Sequence, residues 1–303
     1  MKVKDIKERI EQAYKLLQNC RVCPRRCGVD RLNGERGICR VGKNPMISSY
    51  NVHFGEEPPI SGTKGSGTIF FTGCNLRCIY CQNFPISQLG HGVEITTRDL
   101  AKRMISLQSR GCHNINLVTP THFVPQILEA LSFGWEMGFD LPLVYNSSGY
   151  DSIEALKLLD GIIDIYLPDM RYSDNRVAKR LSSAEDYVEV NREAIREMYR
   201  QVGNLVTNED GIAKKGLLIR HLILPFDLAG SKKTFRFIKE EISTLVYVSL
   251  MGQYFPTFKA EKHVSINRKI THGEYEQAQE SFFESGLTSG WMQEAQNSGS
   301  ERC

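Results

Sequence analysis

The chain has 303 residues, 41% of them hydrophobic, and a formal net charge of +3 from 38 Lys and Arg against 35 Asp and Glu. This length and apolar share make a globular protein of one large domain plus an appendage and exclude disorder throughout. A balance this near neutral gives a nucleic-acid partner no electrostatic footing. No window holds the roughly 18 uninterrupted apolar residues of a membrane span, and Met1 to Asp5 lack the apolar core of a secretory signal. The cytoplasm is the expected compartment, with no membrane and no nucleic acid among the partners.

The first 18 residues place Val3, Ile6, Ile10, Ala13 and Leu17 three or four apart, the stripe of an amphipathic helix. From Cys20 to Ser66 cysteines, arginines and glycines dominate, and Pro45, Pro58 and Pro59 interrupt any long element. Residues 1–66 are therefore expected to be a helix, a cysteine-rich metal-binding module and a linker. After Ser66 short apolar runs alternate with amphipathic stretches, the signature of successive strand-helix units around a parallel sheet. Six strands are predicted: Thr68–Thr72, Asn114–Val118, Leu141–Asn146, Ile162–Leu167, Leu217–Leu224 and Leu245–Leu250. The intervening helices carry end signals: Thr96 with Asp99 and Thr271 with Glu274 as caps, Pro125 in a first turn, and Gly111, Gly138 and Gly203 as stops. Six units over about 220 residues fall short of the roughly 250 of an eight-stranded barrel. The predicted fold class is α/β, a partial (β/α)6 barrel over residues 67–288 with the small module before it; a flat doubly wound sheet is the alternative. Residues 289–303, rich in Ser, Gly and Gln, are expected to form a disordered tail.

The nine cysteines are not needed to staple a core of this size, and in a reducing compartment clustered thiols hold metal more often than they form disulfides. Seven of them form two groups: Cys20, Cys23, Cys27 and Cys39 in the module, and Cys74, Cys78 and Cys81 just after the first barrel strand. Three thiolates within eight residues can hold three irons of a cubane cluster and leave the fourth open to a ligand. Zinc asks for a fourth protein ligand or for histidine and carboxylate, so the bare C-x3-C-x2-C favours iron and sulfur. The module's four cysteines make a complete set, for zinc or for a second cluster, on a segment too polar to fold on burial alone. Cys112 is expected to be buried and inert, and Cys303 an incidental thiol.

The run Thr72, Gly73, Cys74, Asn75, Leu76, Arg77, Cys78, Ile79, Tyr80, Cys81, Gln82, Asn83 resembles the cluster motif of radical S-adenosylmethionine (radical SAM) enzymes. The likeness extends over most of the chain to a branch similar to pyruvate formate-lyase activating enzyme. It implies a partial barrel, a 4Fe-4S cluster on Cys74, Cys78 and Cys81, and S-adenosyl-L-methionine chelated by the open iron. One electron from the cluster then cleaves that cofactor, and a 5′-deoxyadenosyl radical takes hydrogen from substrate. The implied partners are a reductant such as flavodoxin or ferredoxin and, in the activating version, a glycyl-radical enzyme.

In parallel barrels ligands meet the carboxyl ends of the strands. The resemblance places Tyr80 beside the cofactor. Thr119 and Thr121 stand where the activating enzymes carry Gly-Gly-Glu, which is absent here. Asn146 and Ser148 resemble the family's Asp-Thr-Asn-Gly segment, and Asp169 and Arg171 its Asp-Leu-Lys segment. Arg220 and His221 are adjacent on one strand and so face opposite sides; the resemblance favours Arg220 for the lumen. His113, His122 and His221 read as packing histidines.

The expected function is a radical SAM enzyme, activating a glycyl-radical partner or acting on a small molecule or another protein residue. A non-catalytic redox sensor or metal-binding module is the alternative of another class.

Overall fold

A computed structural model describes residues 5–293. Among them, ten strands form the sheet: β1 (Met46–His53), β2 (Ser66–Phe71), β3 (Val93–Glu94), β4 (Ile115–Val118), β5 (Leu143–Ser147), β6 (Ile165–Pro168), β7 (Val206–Thr207), β8 (Ala213–Leu222), β9 (Tyr247–Met251) and β10 (Gly290–Met292). Their order is β10-β9-β8-β6-β5-β4-β2-β1-β3, with β7 paired to β8 outside that path. The six predicted strands are the run β2-β4-β5-β6-β8-β9, all parallel, so the chain is an α/β protein built on an open, partial barrel.

Period-two alternation divides each strand between two environments. Ile69, Phe71, Leu117, Tyr145, Ile219 and Val248 pack outward in the main core beneath the helices. Their neighbours Val144, Ile165, Leu167 and Leu218 join Ile60 and Ala213 in a separate apolar cluster inside the barrel. The expected caps are present: Thr96 Oγ1 accepts from the Asp99 amide at the head of the helix Thr97–Ser109, and Thr271 with Glu274 completes a capping box on the helix His272–Glu284. No helix among the described residues is long and apolar enough to cross a membrane.

Two expectations need correction. Residues 46–53, read as part of an interrupted linker, form β1, which pairs antiparallel with β2 and with β3. Apolar residues fall on both faces of this strand, so no alternation marks it; its pairing with β2 supplies the order that its own pattern lacks. Within the expected tail, Gly290–Met292 form β10, parallel to β9, because Gly290 lets the chain run close against the Val248 backbone. Residues 294–303, with Cys303, and Val3 lie outside the described residues.

Candidate active site

Cys74, Cys78 and Cys81 lie on the loop that leaves the carboxyl end of β2, all three as free thiols, Cys78 buried and the other two partly so. The loop is held by its backbone. The Arg77 and Ile79 amides donate to the carbonyls of Ser182 and Leu181 at 3.0 and 2.9 Å, and Asn75 Nδ2 donates to the Tyr150 carbonyl at 2.7 Å. Each sulfur also meets a donor. The Leu76 amide lies 3.4 Å from Cys74 Sγ, the Ser182 hydroxyl donates to Cys78 Sγ at 3.0 Å, and the Ser87 hydroxyl lies 3.1 Å from Cys81 Sγ. Burial and the two neighbouring thiols push Cys74 up to about 12. Among the described residues no three Cys, His, Asp or Glu side chains gather tightly enough for one metal ion. A cubane takes one thiolate on each of three irons, so spread sulfurs backed by donors fit it.

Beside these thiols the ends of β5, β6 and β8 bring four polar side chains together. Arg171 donates to Asp169 Oδ2 at 2.5 Å and reaches Cys78 Sγ at 3.5 Å. Arg220 donates to Asp169 Oδ1 at 2.9 Å and to Asn146 Oδ1 at 2.7 Å. Burial works to raise Asp169, but the Arg220 and Arg171 guanidinium groups prevail and hold it below its usual range. Tyr80, Cys81, Asp169, Arg171, Arg220 and Met251 line a cavity of about 210 Å³ at this mouth. His221 points to the other face, where it bonds the Met170 carbonyl and Ser231 in a buried setting.

The remaining expected site residues are placed as follows. The Tyr80 ring lines the cavity, but its hydroxyl lies 2.5 Å from that of Tyr172, which lies 2.6 Å from Ser182 Oγ, the donor to Cys78. Thr119 sits at the mouth with φ of 61°, a backbone strain unusual for a β-branched residue and found mainly at functional positions. The Ser148 hydroxyl is buried with no hydrogen-bond partner among the described residues. Thr121 is not brought to the mouth: its hydroxyl donates to Asp151 at 2.7 Å, beside Tyr145 and Ser147, in a buried ring of hydroxyls around one carboxylate. A carboxylate so enclosed draws the nearest hydroxyl away from any ligand.

The cysteine module packs directly on the cluster loop. Arg25 Nε donates to the Asn75 carbonyl at 2.7 Å. Gly73 takes φ of +85°, and a Cβ there would stand 2.6 Å from the Cys39 carbonyl oxygen and 2.9 Å from Val41. Gly73→Ala is therefore expected to cost about 2–5 kcal/mol, from left-handed strain and a backbone clash together. Urea denaturation checks it, and a loss below about 0.5 kcal/mol would refute the close approach. Within the module, burial and then the Cys39, Cys20 and Cys27 thiols push the Cys23 thiol up. Arg31 is fully buried next to Cys20, and its hydrogen bonds go to the carbonyls of Gly42 and His122.

One set of residues was not anticipated. The segment after β1 turns under the barrel, where the Ser61 hydroxyl clamps the Glu56 backbone and Asn114 Nδ2 holds the Ile60 carbonyl at 2.8 Å. It carries Glu56 to 3.7 Å from Arg220 Nη1 and 3.5 Å from Asn146 Nδ2. Glu57 beside it is 3% exposed. The only trace in the sequence is the run Glu56-Glu57-Pro58-Pro59, two acids whose backbone the prolines stiffen. Burial raises Glu56 from 4.5 to about 7 against the pull of Arg220. Between those values the folded chain keeps a proton that the unfolded chain has released, so stability is fullest below pH 4.5 and falls as pH rises to 7. We expect this group to remove about 2–3 kcal/mol over that interval. Glu56→Gln should flatten the slope in urea denaturations at the two ends, and equal slopes in both proteins would exclude Glu56 as its source.

The chain is thus a parallel partial barrel with three free thiols and a charged cavity at its carboxyl mouth. Residues 68–212 match the Radical SAM superfamily. The chain is 33% identical over 282 residues to an uncharacterised protein of Methanocaldococcus jannaschii, covering 90% of this chain and 76% of the relative. The chain belongs to the radical SAM superfamily, which implies a 4Fe-4S cluster and S-adenosylmethionine. A second uncharacterised protein of the same organism is 29% identical over 157 residues, 46% of each chain. Among solved structures, the FeFe-hydrogenase maturase HydG gives a TM-score of 0.51 at 12% identity, over 95% of this chain and 63% of that one. Streptococcus suis SuiB, solved with its precursor peptide SuiA, gives 0.50 at 11%, over 74% and 47%. At such identity these two show the fold alone.

Proposed function

We propose that Cys74, Cys78 and Cys81 hold the 4Fe-4S cluster and that Asp169, Arg171, Arg220 and Asn146 orient S-adenosylmethionine in the adjoining cavity. The observation that carries this reading is the meeting of the three thiols with Arg171 and the Asp169–Arg220 pair at one mouth. When bound, the cluster supplies the single electron that splits the cofactor, and the fragment takes hydrogen from substrate. Arg171 offers a planar fork for the methionine carboxylate. Asp169 holds Arg171 and Arg220 in register, and the walls exclude water.

The apolar cluster around Ile60 occupies part of the barrel interior, and the cavity at the mouth is about 210 Å³. A space of that size favours a small molecule or a narrow side chain over a whole protein loop, so the activation of a glycyl-radical enzyme stands as the second reading, supported by the resemblance of the cluster motif.

The module's Cys20, Cys23, Cys27 and Cys39 would hold a second cluster, which would supply a path for electrons from flavodoxin or ferredoxin. Buried Arg31 supports an anionic centre there, since buried charges need partners, and contact between Gly73 and Cys39 supports a short path. Anaerobic reconstitution, reduction with dithionite and addition of S-adenosylmethionine should yield 5′-deoxyadenosine. Failure to form it with a fully loaded cluster would defeat the reading. Iron analysis of the same sample tests the second centre, and zinc in place of iron at the module would end the relay.

A further inference from the structure

Below the cofactor mouth the barrel interior carries a polar floor that the reaction described above does not use. Asn116 is fully buried, and neither its side-chain oxygen nor its nitrogen has a hydrogen-bond partner among the described residues; the same holds for Glu57 Oε2 and for Ser249 Oγ. Groups of this kind are rarely left orphaned in a finished interior. Register fixes the depth of two of them: Ser249 pairs with Arg220 at the mouth, and Asn116 lies lower. Asn146, at the mouth, pairs with Val118 on β4, whereas Asn116 pairs one step lower with Val144. The strap residues Ser61 and Ile60 pin Glu56 and Glu57 at that level from beneath.

Acidic groups outnumber basic ones there. Glu56, Glu57 and Asp169 face the guanidinium groups of Arg171 and Arg220, and burial holds Glu56 as the protonated acid up to about pH 7, so an entering cation would favour its ionised form. Arg171 and Arg220 both spend hydrogen bonds on Asp169. Glu56 has two long contacts, a 3.7 Å ion pair with Arg220 and a 3.5 Å hydrogen bond from Asn146 Nδ2, and Glu57 lies within the field of Arg220 and Tyr247. A buried carboxylate without a full partner is a ready site for a cation with N–H donors.

We propose that this floor binds a cationic nitrogen group of the substrate, an alkylammonium or a guanidinium, with Glu56 and Glu57 as its carboxylates and Asn116 and Ser249 as its neutral partners. The inference rests on the reading of the mouth as the cofactor site and names the substrate class for it. Arg220 keeps Asp169 and Asn146 as partners when it yields Glu56 to the incoming cation.

The test uses cluster-loaded enzyme with S-adenosylmethionine and no reductant, so cofactor cleavage plays no part in the readout. Calorimetry with n-propylammonium and methylguanidinium, each against neutral n-propanol, should show saturable binding of one cation and none of the alcohol. Glu56→Gln and Glu57→Gln should each weaken it about tenfold or more, with cofactor affinity held within about twofold. In the wild-type protein, 13C-carboxyl glutamate resonances should move with the same saturation curve, which decides the matter even if a variant folds poorly. Binding of the alcohol as tight as that of the cations, undiminished affinity in both variants, static wild-type resonances, or joint loss of the cofactor would each overturn the proposal, the last by assigning the carboxylates to S-adenosylmethionine instead.

Discussion

Cys74→Ala, Cys78→Ala and Cys81→Ala should each bring 5′-deoxyadenosine formation to background after reconstitution, whereas Cys112→Ala should retain it. The three thiols stand on one loop and meet one set of donors, and a cluster with one iron already free of protein cannot spare a second ligand. Cys112 is buried in the main core, away from this loop. The loop itself is tied by backbone bonds to Ser182 and Leu181 and by the Asn75 side chain to Tyr150, so an alanine at any of the three leaves its frame in place. Circular dichroism of the variants should therefore overlay that of the parent while iron content falls. Product at the parental level from any one of the three would show that the thiols are not the centre of the chemistry.

The parallel strands were legible because each joins an apolar run to turn residues, and their pairing follows from burial on both faces. The cysteine spacing was legible for a different reason: ligands to one cluster must be close in sequence when a single loop supplies them. What escaped was long-range. β1 has no apolar face of its own, and β10 is three residues long, so both exist by virtue of a neighbour. Glu56 and Glu57 reach the lumen only because β1 runs back along β2 and delivers its end beneath the barrel. Thr121 shows the reverse: its position after β4 was right for the mouth, but Asp151, thirty residues further on, takes its hydroxyl. No spacing rule encodes such competition between partners.

Asp169→Ala is expected to cost the protein about 2–4 kcal/mol, because it leaves two partly buried guanidinium groups facing one another without their shared carboxylate. The geometry makes Asp169 the hinge of the network. One oxygen serves Arg171 and the other Arg220, and its side chain is only 9% exposed. Glu56, at 3.7 Å, is too far to replace it for Arg220, and nothing at the mouth replaces it for Arg171 except the Cys78 sulfur. The carboxylate form is the stabilising one: its folded value lies below 3.8, so the contribution is present above that pH and is lost only as pH falls through the folded value. The double change Asp169→Ala with Arg171→Met should recover part of the loss, since it removes an orphaned charge along with its partner. Urea denaturation of the apo forms measures both. If the double variant loses the full sum of the two single losses, the pair is not coupled and Asp169 stabilises by packing alone. If it recovers, Asp169 sets the direction of Arg171, and the same variant should lose affinity for S-adenosylmethionine although its fold has been restored.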